Sequence, residues 1–315
     1  MIKYLQHSEI DKSKWDACIR DSFNSMVYAT SWYLDLVHEG WEALVEDDYE
    51  RVMPITGGKK FGVHYLFQPY FVQQLGVFSK SILTPAITRE FIQHIPEKFR
   101  FVDIKLNSFN KLNGSAYAIH SNKNYVLDLI NDYPKLFSRY SSNTKRNLQK
   151  STKNKLSLVK NIKPEAIITL FRDNRGKNLT KWNDHHYMLL RKLIYSAIHN
   201  GKGITYGVFT EHNQLCAGAF FLSSSNRLIF LFSGSNETSR ENGAMFKLID
   251  ELIKEYAPGN LVLDFEGSND ASLARFYKGF GAKESSYLSL QINRLKFPFR
   301  TLFSLYRLLK KVKMS

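Results

Sequence analysis

Leu261-Val262-Leu263-Asp264-Phe265-Glu266-Gly267, followed by Asp270-Ala271-Ser272-Leu273-Ala274-Arg275-Phe276-Tyr277-Lys278-Gly279-Phe280-Gly281, decides how this chain is read. The first run is a buried strand that closes on two acids and a glycine. The second starts behind Asn269 and Asp270, whose short side chains cap helix N-termini. Its Leu273, Phe276 and Phe280 share one stripe, with Tyr277 near the edge. Upstream, Arg240-Glu241-Asn242-Gly243-Ala244 opens another apolar helix, so residues 243–287 read helix, strand, glycine turn, helix, strand. Small residues before a helix leave backbone N–H groups unpaired, which suits a pyrophosphate or another anion. A tyrosine on the next helix can protonate a leaving group beside it.

Working outward, residues 204–209, 215–222 and 227–233 read as three strands, the first pair turned at Asn213-Gln214. Residues 164–179 and 185–200 read as helices, and 135–160 as a basic helical region. Asn131-Asp132-Tyr133-Pro134 breaks the pattern after the strand at Tyr125-Val126-Leu127-Asp128-Leu129. The first half is α/β: a strand at 2–5, a helix capped by Ser13, a second helix at 30–37, and a hairpin of 41–46 and 51–55 across Asp47-Asp48. An aromatic-rich stretch at 59–76, broken by Gly62 and Pro69, precedes a helix at 85–95 and a strand at 101–106. The expected organisation is a domain at 1–133, a second at 134–295, and a basic amphipathic tail helix at 296–315.

The order of parts in 243–287 resembles the acyl-donor half of the GNAT N-acyltransferase fold. That family's pyrophosphate loop reads Gln/Arg-x-x-Gly-x-Gly/Ala; Arg240 and Gly243 match it, with Met245 in the last small position. Its later helix carries Asn-x-x-Ala-x-x-Leu-Tyr and then Gly-Phe, where Asp270 stands for the Asn, Leu273 for the Ala, and Tyr277 and Gly281 match. The chain is also similar to the FemAB-like acyltransferases, which join two GNAT-like domains. Three segments carry this: Met53-Pro54-Ile55 with Phe67-Gln68-Pro69-Tyr70-Phe71-Val72-Gln73-Gln74-Leu75-Gly76-Val77; Tyr140-Ser141-Ser142-Asn143-Thr144-Lys145-Arg146-Asn147-Leu148-Gln149-Lys150; and Phe265-Glu266-Gly267 with Phe276-Tyr277-Lys278-Gly279-Phe280-Gly281. The resemblance implies tandem folds, each a mixed, mostly antiparallel sheet flanked by helices. In the peptidoglycan-bridge members the closing motif reads Phe-Lys-x-x-Phe-Gly, and Tyr277 holds the lysine position here. A phenol suits protonation of a thiolate, whereas an ammonium suits an anionic intermediate. That leans the donor towards an acyl-thioester, although Lys278 follows and can take the cationic role.

The 315 residues suggest two domains, and 43% hydrophobic content supports a full core. Cys18 and Cys216 lie far apart without ligand spacing, and the adjacent His185 and His186 face different ways on a helix, so no metal site is expected. No apolar run approaches the roughly 20 residues that span a bilayer, and the expected location is cytoplasmic, or peripheral to the inner face of the membrane. Of the net +15, residues 135–202 hold +13 (16 basic, 3 acidic) and 294–315 hold +7, leaving −5 elsewhere by subtraction. Such concentration attracts an anionic partner: a nucleotide, a phosphorylated acceptor, tRNA or an anionic membrane. In the tail, Phe299, Leu302, Phe303, Tyr306 and Leu309 share one helical face and Arg300, Arg307 and Lys311 another, so residues 297–313 suit either an anionic lipid surface or docking on the first domain.

The expected chemistry moves an acyl group from a thioester, acyl-CoA as co-substrate, to an amine on a cell-envelope or sugar-nucleotide precursor. No tightly bound cofactor is expected. Arg240, Gly243 and Ala244 would hold the donor, and Tyr277 would protonate the leaving thiolate. Asp264 and Glu266, placed on one face by strand alternation, are the candidate bases, with Glu266 nearest the turn. Lys145, Arg146, Lys150 and Lys278 would bind phosphates, and Gln68, Tyr70 and Gln74 would line an acceptor cleft. Two alternatives stay open: an aminoacyltransferase using aminoacyl-tRNA in peptidoglycan synthesis, and a non-catalytic tRNA- or membrane-surface-binding protein on the same scaffold.

Overall fold

The computed structural model describes residues 1–113, 117–179, 182–267 and 269–296. The expected tail helix at 296–315, with the stretch 297–313 suited to lipid or to docking, lies outside the described residues from residue 297 on. The chain divides into two compact units: Met1–Ser121 with the described residues from Tyr287 onward, and Asn122–Ser286. Residues 122–133 therefore belong with the second unit, whereas the sequence break at Pro134 places them in the first.

The first unit holds β1 (Ile2–Leu5), α1 (Lys12–Asp21), α2 (Ser31–Val37), β2 (Glu42–Glu46), β3 (Arg51–Ile55), β4 (Gly57–Lys60), β5 (Val63–Phe67), β6 (Phe78–Ser79), α3 (Pro85–Gln93) and β7 (Phe99–Lys105). Strands β1, β2, β3 and β6 form an antiparallel row, with β2 and β3 the expected hairpin. The aromatic-rich stretch resolves into the antiparallel hairpin β4–β5, and β5 runs parallel to β7. Helix α1 is capped by Asp11, whose carboxylate accepts from Ser13 and Lys14 backbone N–H, not by Ser13. Both are N-cap residue types, and the choice depends on where the chain leaves extended backbone.

The first division falls inside β8 (Ala118–Asp128). The second unit continues with α4 (Tyr133–Ser138), α5 (Ser142–Lys153), β9 (Ser157–Lys160), α6 (Pro164–Arg172), α7 (Asp184–His199), β10 (Gly203–Phe209), β11 (Leu215–Ser224), β12 (Arg227–Ser235), α8 (Glu237–Asn242), α9 (Ala244–Tyr256), β13 (Val262–Asp264) and α10 (Ala271–Lys278). The second division falls inside β14 (Lys283–Asn293), whose later residues pair antiparallel with β7. Helix α6 stops at Arg172, and a 3-10 turn at Arg175–Asn178 follows where the sequence suggests continuous helix.

In the second unit β9, β10, β11 and β12 are antiparallel neighbours, β12 and β13 run parallel, and β13 is antiparallel to β8. Strand β11 is buried along nearly its whole length, which explains its unbroken apolar run Cys216-Ala217-Gly218-Ala219-Phe220-Phe221-Leu222. Leu248, Ile249, Leu252 and Ile253 of α9 join Val208, Ala217, Ala219 and Phe221 in one core. Each such aliphatic side chain contributes roughly 1.5–3 kcal/mol on burial.

Candidate active site

Strands β12 and β13 pair over three residues only, from Arg227 opposite Val262 to Ile229 opposite Asp264. β12 continues to Ser235, but β13 ends at Asp264, so the two parallel strands part beyond that point. A register shift against β11 at the same place sets Phe221 opposite Phe230 and Phe220 opposite Phe232. Leu231 is the extra residue, and the bulge puts Phe230 and Phe232 on opposite faces. Phe230 meets Phe265 edge-on at 6.3 Å, while Phe232 packs on Phe171 at 4.7 Å and stacks on Trp182 at 6.3 Å.

The strand ends at Asp264 because that carboxylate ties the chain sideways. It is 1% exposed and accepts from Arg227 Nη1 at 3.0 Å, Asn124 Nδ2 at 3.0 Å and the Glu266 backbone N–H at 2.9 Å. Glu266 and Gly267 then adopt φ of +53° and +52°. A Cβ on Gly267 would lie 2.2 Å from the Lys123 carbonyl oxygen, so only glycine lets the chain hug β8 there. The expected alternation of Asp264 and Glu266 on one face is thus corrected: the strand stops at Asp264, and the left-handed backbone re-aims Glu266. Asp264 is a buried clamp engaged on three sides, which removes it from the candidate bases.

Tyr277 is also placed differently from the helical-wheel reading. It lies on the buried face of α10, 6% exposed, stacked on Phe265 at 4.7 Å with a 24° interplanar angle. Burial, then the Glu266 carboxylate, push its phenol well above the ordinary range, and the Arg175 guanidinium acts in the opposite sense. The Tyr277 phenol therefore stays protonated across the physiological range. Asp270 caps α10, accepting from the Ser272 and Leu273 backbone N–H groups at 2.8 and 3.0 Å. Those bonds, from Leu273 and then Ser272, hold its carboxyl below the usual aspartate range, with Arg175 adding to the effect. The parting of the strands is thus accompanied by Glu266, Tyr277, Asp270 and Arg175. The sequence reading did not single out Arg175, because no local pattern links a residue after α6 to one on α10.

The turn expected to cradle phosphate is closed. Gly243, at φ +78°, ends α8 and donates its N–H to the Ser239 carbonyl. The Ala244 N–H is held by Asn242 Oδ1 at 3.0 Å, and Ala244 is fully buried. Helix α5 lies against the turn: a Cβ on Gly243 would come within 2.3 Å of the Asn147 carbonyl oxygen. The small residues at 243–244 serve a close helix crossing, and Arg240 on α8 is exposed.

Of the proposed phosphate binders, Arg146 and Lys150 are exposed on α5, and Lys145 is half-buried with its ammonium 5.3 Å from the Phe137 ring centroid. The opposite face of α5 buries Thr144, Asn147 and Ser151. Lys278 pairs with Glu284 at 3.4 Å and lies over the Tyr125 ring. In the first unit, Gln68 bonds the Val72 carbonyl and the Lys105 N–H, and Gln74, 1% exposed, accepts from the Ser108 N–H. Both glutamines pin loops, whereas Tyr70 is 46% exposed. Among the described residues no group of three or more His, Cys, Asp or Glu side chains has metal-holding geometry, and no helix is long and apolar enough to cross a membrane.

Neither a family model nor a curated protein matches the sequence. Solved structures match the fold. FemX aligns with a TM-score of 0.65 at 10% identity, over 96% of this chain and 99% of its own. A tandem GNAT protein from the clavulanic acid biosynthesis pathway aligns at 0.54 and 9% identity, over 94% and 99% of the two chains. L-PGS from Bacillus licheniformis aligns at 0.53 and 10% identity, over 95% and 96%. The chain has a FemAB-like, tandem GNAT-type acyltransferase fold, with mixed sheets flanked by helices.

Proposed function

We propose that this chain is an acyltransferase that moves an acyl group onto an amine where β12 and β13 part, with an aminoacyl ester of tRNA as donor. The observation that carries the reading is the separation of two parallel strands beyond Ile229 and Asp264, beside a buried neutral tyrosine and a carboxylate at Glu266. The freed edge of β12 offers backbone N–H groups to polarise the acyl carbonyl. The amine attacks that carbon, and Glu266 takes its proton directly or through water. The C–O bond to the ribose breaks as the C–N bond forms, and the Tyr277 phenol gives its proton to the departing oxygen. The acceptor class is an amine-bearing envelope precursor, with Lys145, Arg146 and Lys150 serving phosphates on donor or acceptor.

Two features favour tRNA over acyl-CoA: the amides at Gly243 and Ala244 are occupied within the protein, and the net charge of +13 lies in residues 135–202. A thioester donor is the second reading, favoured by Tyr277 standing where the bridge-forming FemAB-like members carry lysine. Purified protein incubated with bulk tRNA charged with labelled amino acids, and separately with acetyl-CoA, distinguishes them. Release of label from tRNA that RNase abolishes, and that Tyr277→Phe slows about a hundredfold, is the expected result. Thiol release from acetyl-CoA would move the donor to the thioester class. Salt-sensitive tRNA binding with no turnover of either would remove the enzymatic reading.

A further inference from the structure

The hairpin of β4 and β5 turns on two residues, Phe61 and Gly62, with φ of +50° and +77°. A two-residue turn with positive φ at both centres follows the twist of the strands, and Asn-Gly is its favoured sequence. A phenylalanine in the first place is unfavourable, because a bulky side chain crowds the backbone in the left-handed region. Yet Phe61 is 88% exposed, so packing within the protein does little to offset that strain. The Lys60 ammonium lies 5.5 Å from its ring centroid. Lys59 and Lys60 are both exposed, alternate to opposite faces of β4, and enter no ion pair among the described residues. Behind the tip, Val63 opposite Lys60 and Tyr65 opposite Gly58 continue a half-buried apolar face. Strained residues of this kind cluster at functional sites.

We propose that Lys59-Lys60-Phe61-Gly62 is a membrane-contact finger, in which Phe61 enters the headgroup layer of an anionic bilayer while the two lysines stay at the phosphates. The chemistry matches the partner: one convex apolar tip, cationic side chains on both sides, and no acid within the hairpin. A nucleic-acid strand is instead held in a basic groove with several stacking platforms, and a projecting tip with one ring offers neither. The inference is independent of the chemistry at β12 and β13.

Sedimentation of the full chain with vesicles of phosphatidylcholine, alone or mixed with phosphatidylglycerol, tests it. Wild-type protein is expected to bind the anionic vesicles, and Phe61→Asn to lower that affinity about tenfold or more. Because asparagine suits the turn, Phe61→Asn should keep or raise Tm, which separates lost contact from lost folding. Lys59→Ala and Lys60→Ala should each cost about fivefold, an effect that salt erases. A polarity-sensitive dye on Phe61→Cys reports insertion directly, since Cys18 and Cys216 are buried; its emission should shift to the blue on anionic vesicles. Vesicle binding unchanged by all three substitutions, or none in the wild type, overturns the proposal. So does bulk tRNA binding that Phe61→Asn abolishes while vesicle binding persists.

Discussion

The parting of β12 from β13 and the turn at Gly243 look alike in sequence, each a few small or polar residues ahead of a helix, yet fold into opposite environments. At the first, Asp264, Glu266 and Gly267 turn the chain away from β12 just past Phe265, on which Tyr277 stacks. At the second, α5 brings the Asn147 carbonyl against Gly243, and Asn242 takes the Ala244 N–H. A glycine before a helix therefore marks close backbone approach, and what approaches decides whether the site is open. Here Glu266, Asp270 and Tyr277 follow the parting of the strands, whereas the turn at Gly243 is a helix crossing.

Substitutions can break or sharpen that contrast. The largest effect is expected from Arg227→Ala, which leaves the Asp264 carboxylate buried without its guanidinium. Loss of one partner of such a pair costs about 3–5 kcal/mol, read as a fall in the denaturant midpoint. Gly243→Ala comes next: a Cβ at positive φ pressed into a carbonyl should cost about 3 kcal/mol. If the turn instead binds a donor pyrophosphate, the change would appear in donor KM with Tm preserved, and the closed assignment would be wrong. Tyr277→Phe keeps the stack on Phe265 and should leave Tm nearly unchanged while slowing transfer about a hundredfold, roughly 2.7 kcal/mol.

A pH profile refines the open site. Because burial raises the Tyr277 phenol above the ordinary tyrosine range, its proton is retained at neutral and mildly alkaline pH, and no alkaline limb there should disappear in Tyr277→Phe. The smallest effect belongs to Asp270→Asn. Its carboxyl is held below the ordinary aspartate value, so it stabilises above that value and the gain is lost as pH falls through the lowered folded one. The variant should therefore lose a little Tm at pH 7 and show a flatter acid limb of Tm against pH.

Much of the fold was legible because periodicity reports burial. The hairpin of β2 and β3, the long apolar β11 and the helix α9 follow from alternation or helical stripes. The closing segment at 261–281 was likewise readable as strand, turn and capped helix, with Asp270 in the capping role. Side-chain direction is not legible in the same way. The helical pattern puts Tyr277 at a stripe edge, but it fills the core, because Phe265 stacks on it. Strand alternation gives Asp264 and Glu266 one face, but two consecutive positive φ values break it. Arg175 and Arg227 were silent, since each acts on a partner far along the chain.

By itself, then, the amino-acid sequence determined the alternation of elements, the cap of α10 and the concentration of positive charge in 135–202, all set by neighbours a few residues apart. Tertiary structure alone decided that β13 leaves β12 after three pairs, that Asp264 is a clamp, and that α5 closes the turn at Gly243. Those outcomes depend on contacts between residues dozens of positions apart, such as Asn124 with Asp264 and Asn147 with Gly243. Local pattern carries no information about them, because burial and charge compensation are properties of the packed chain.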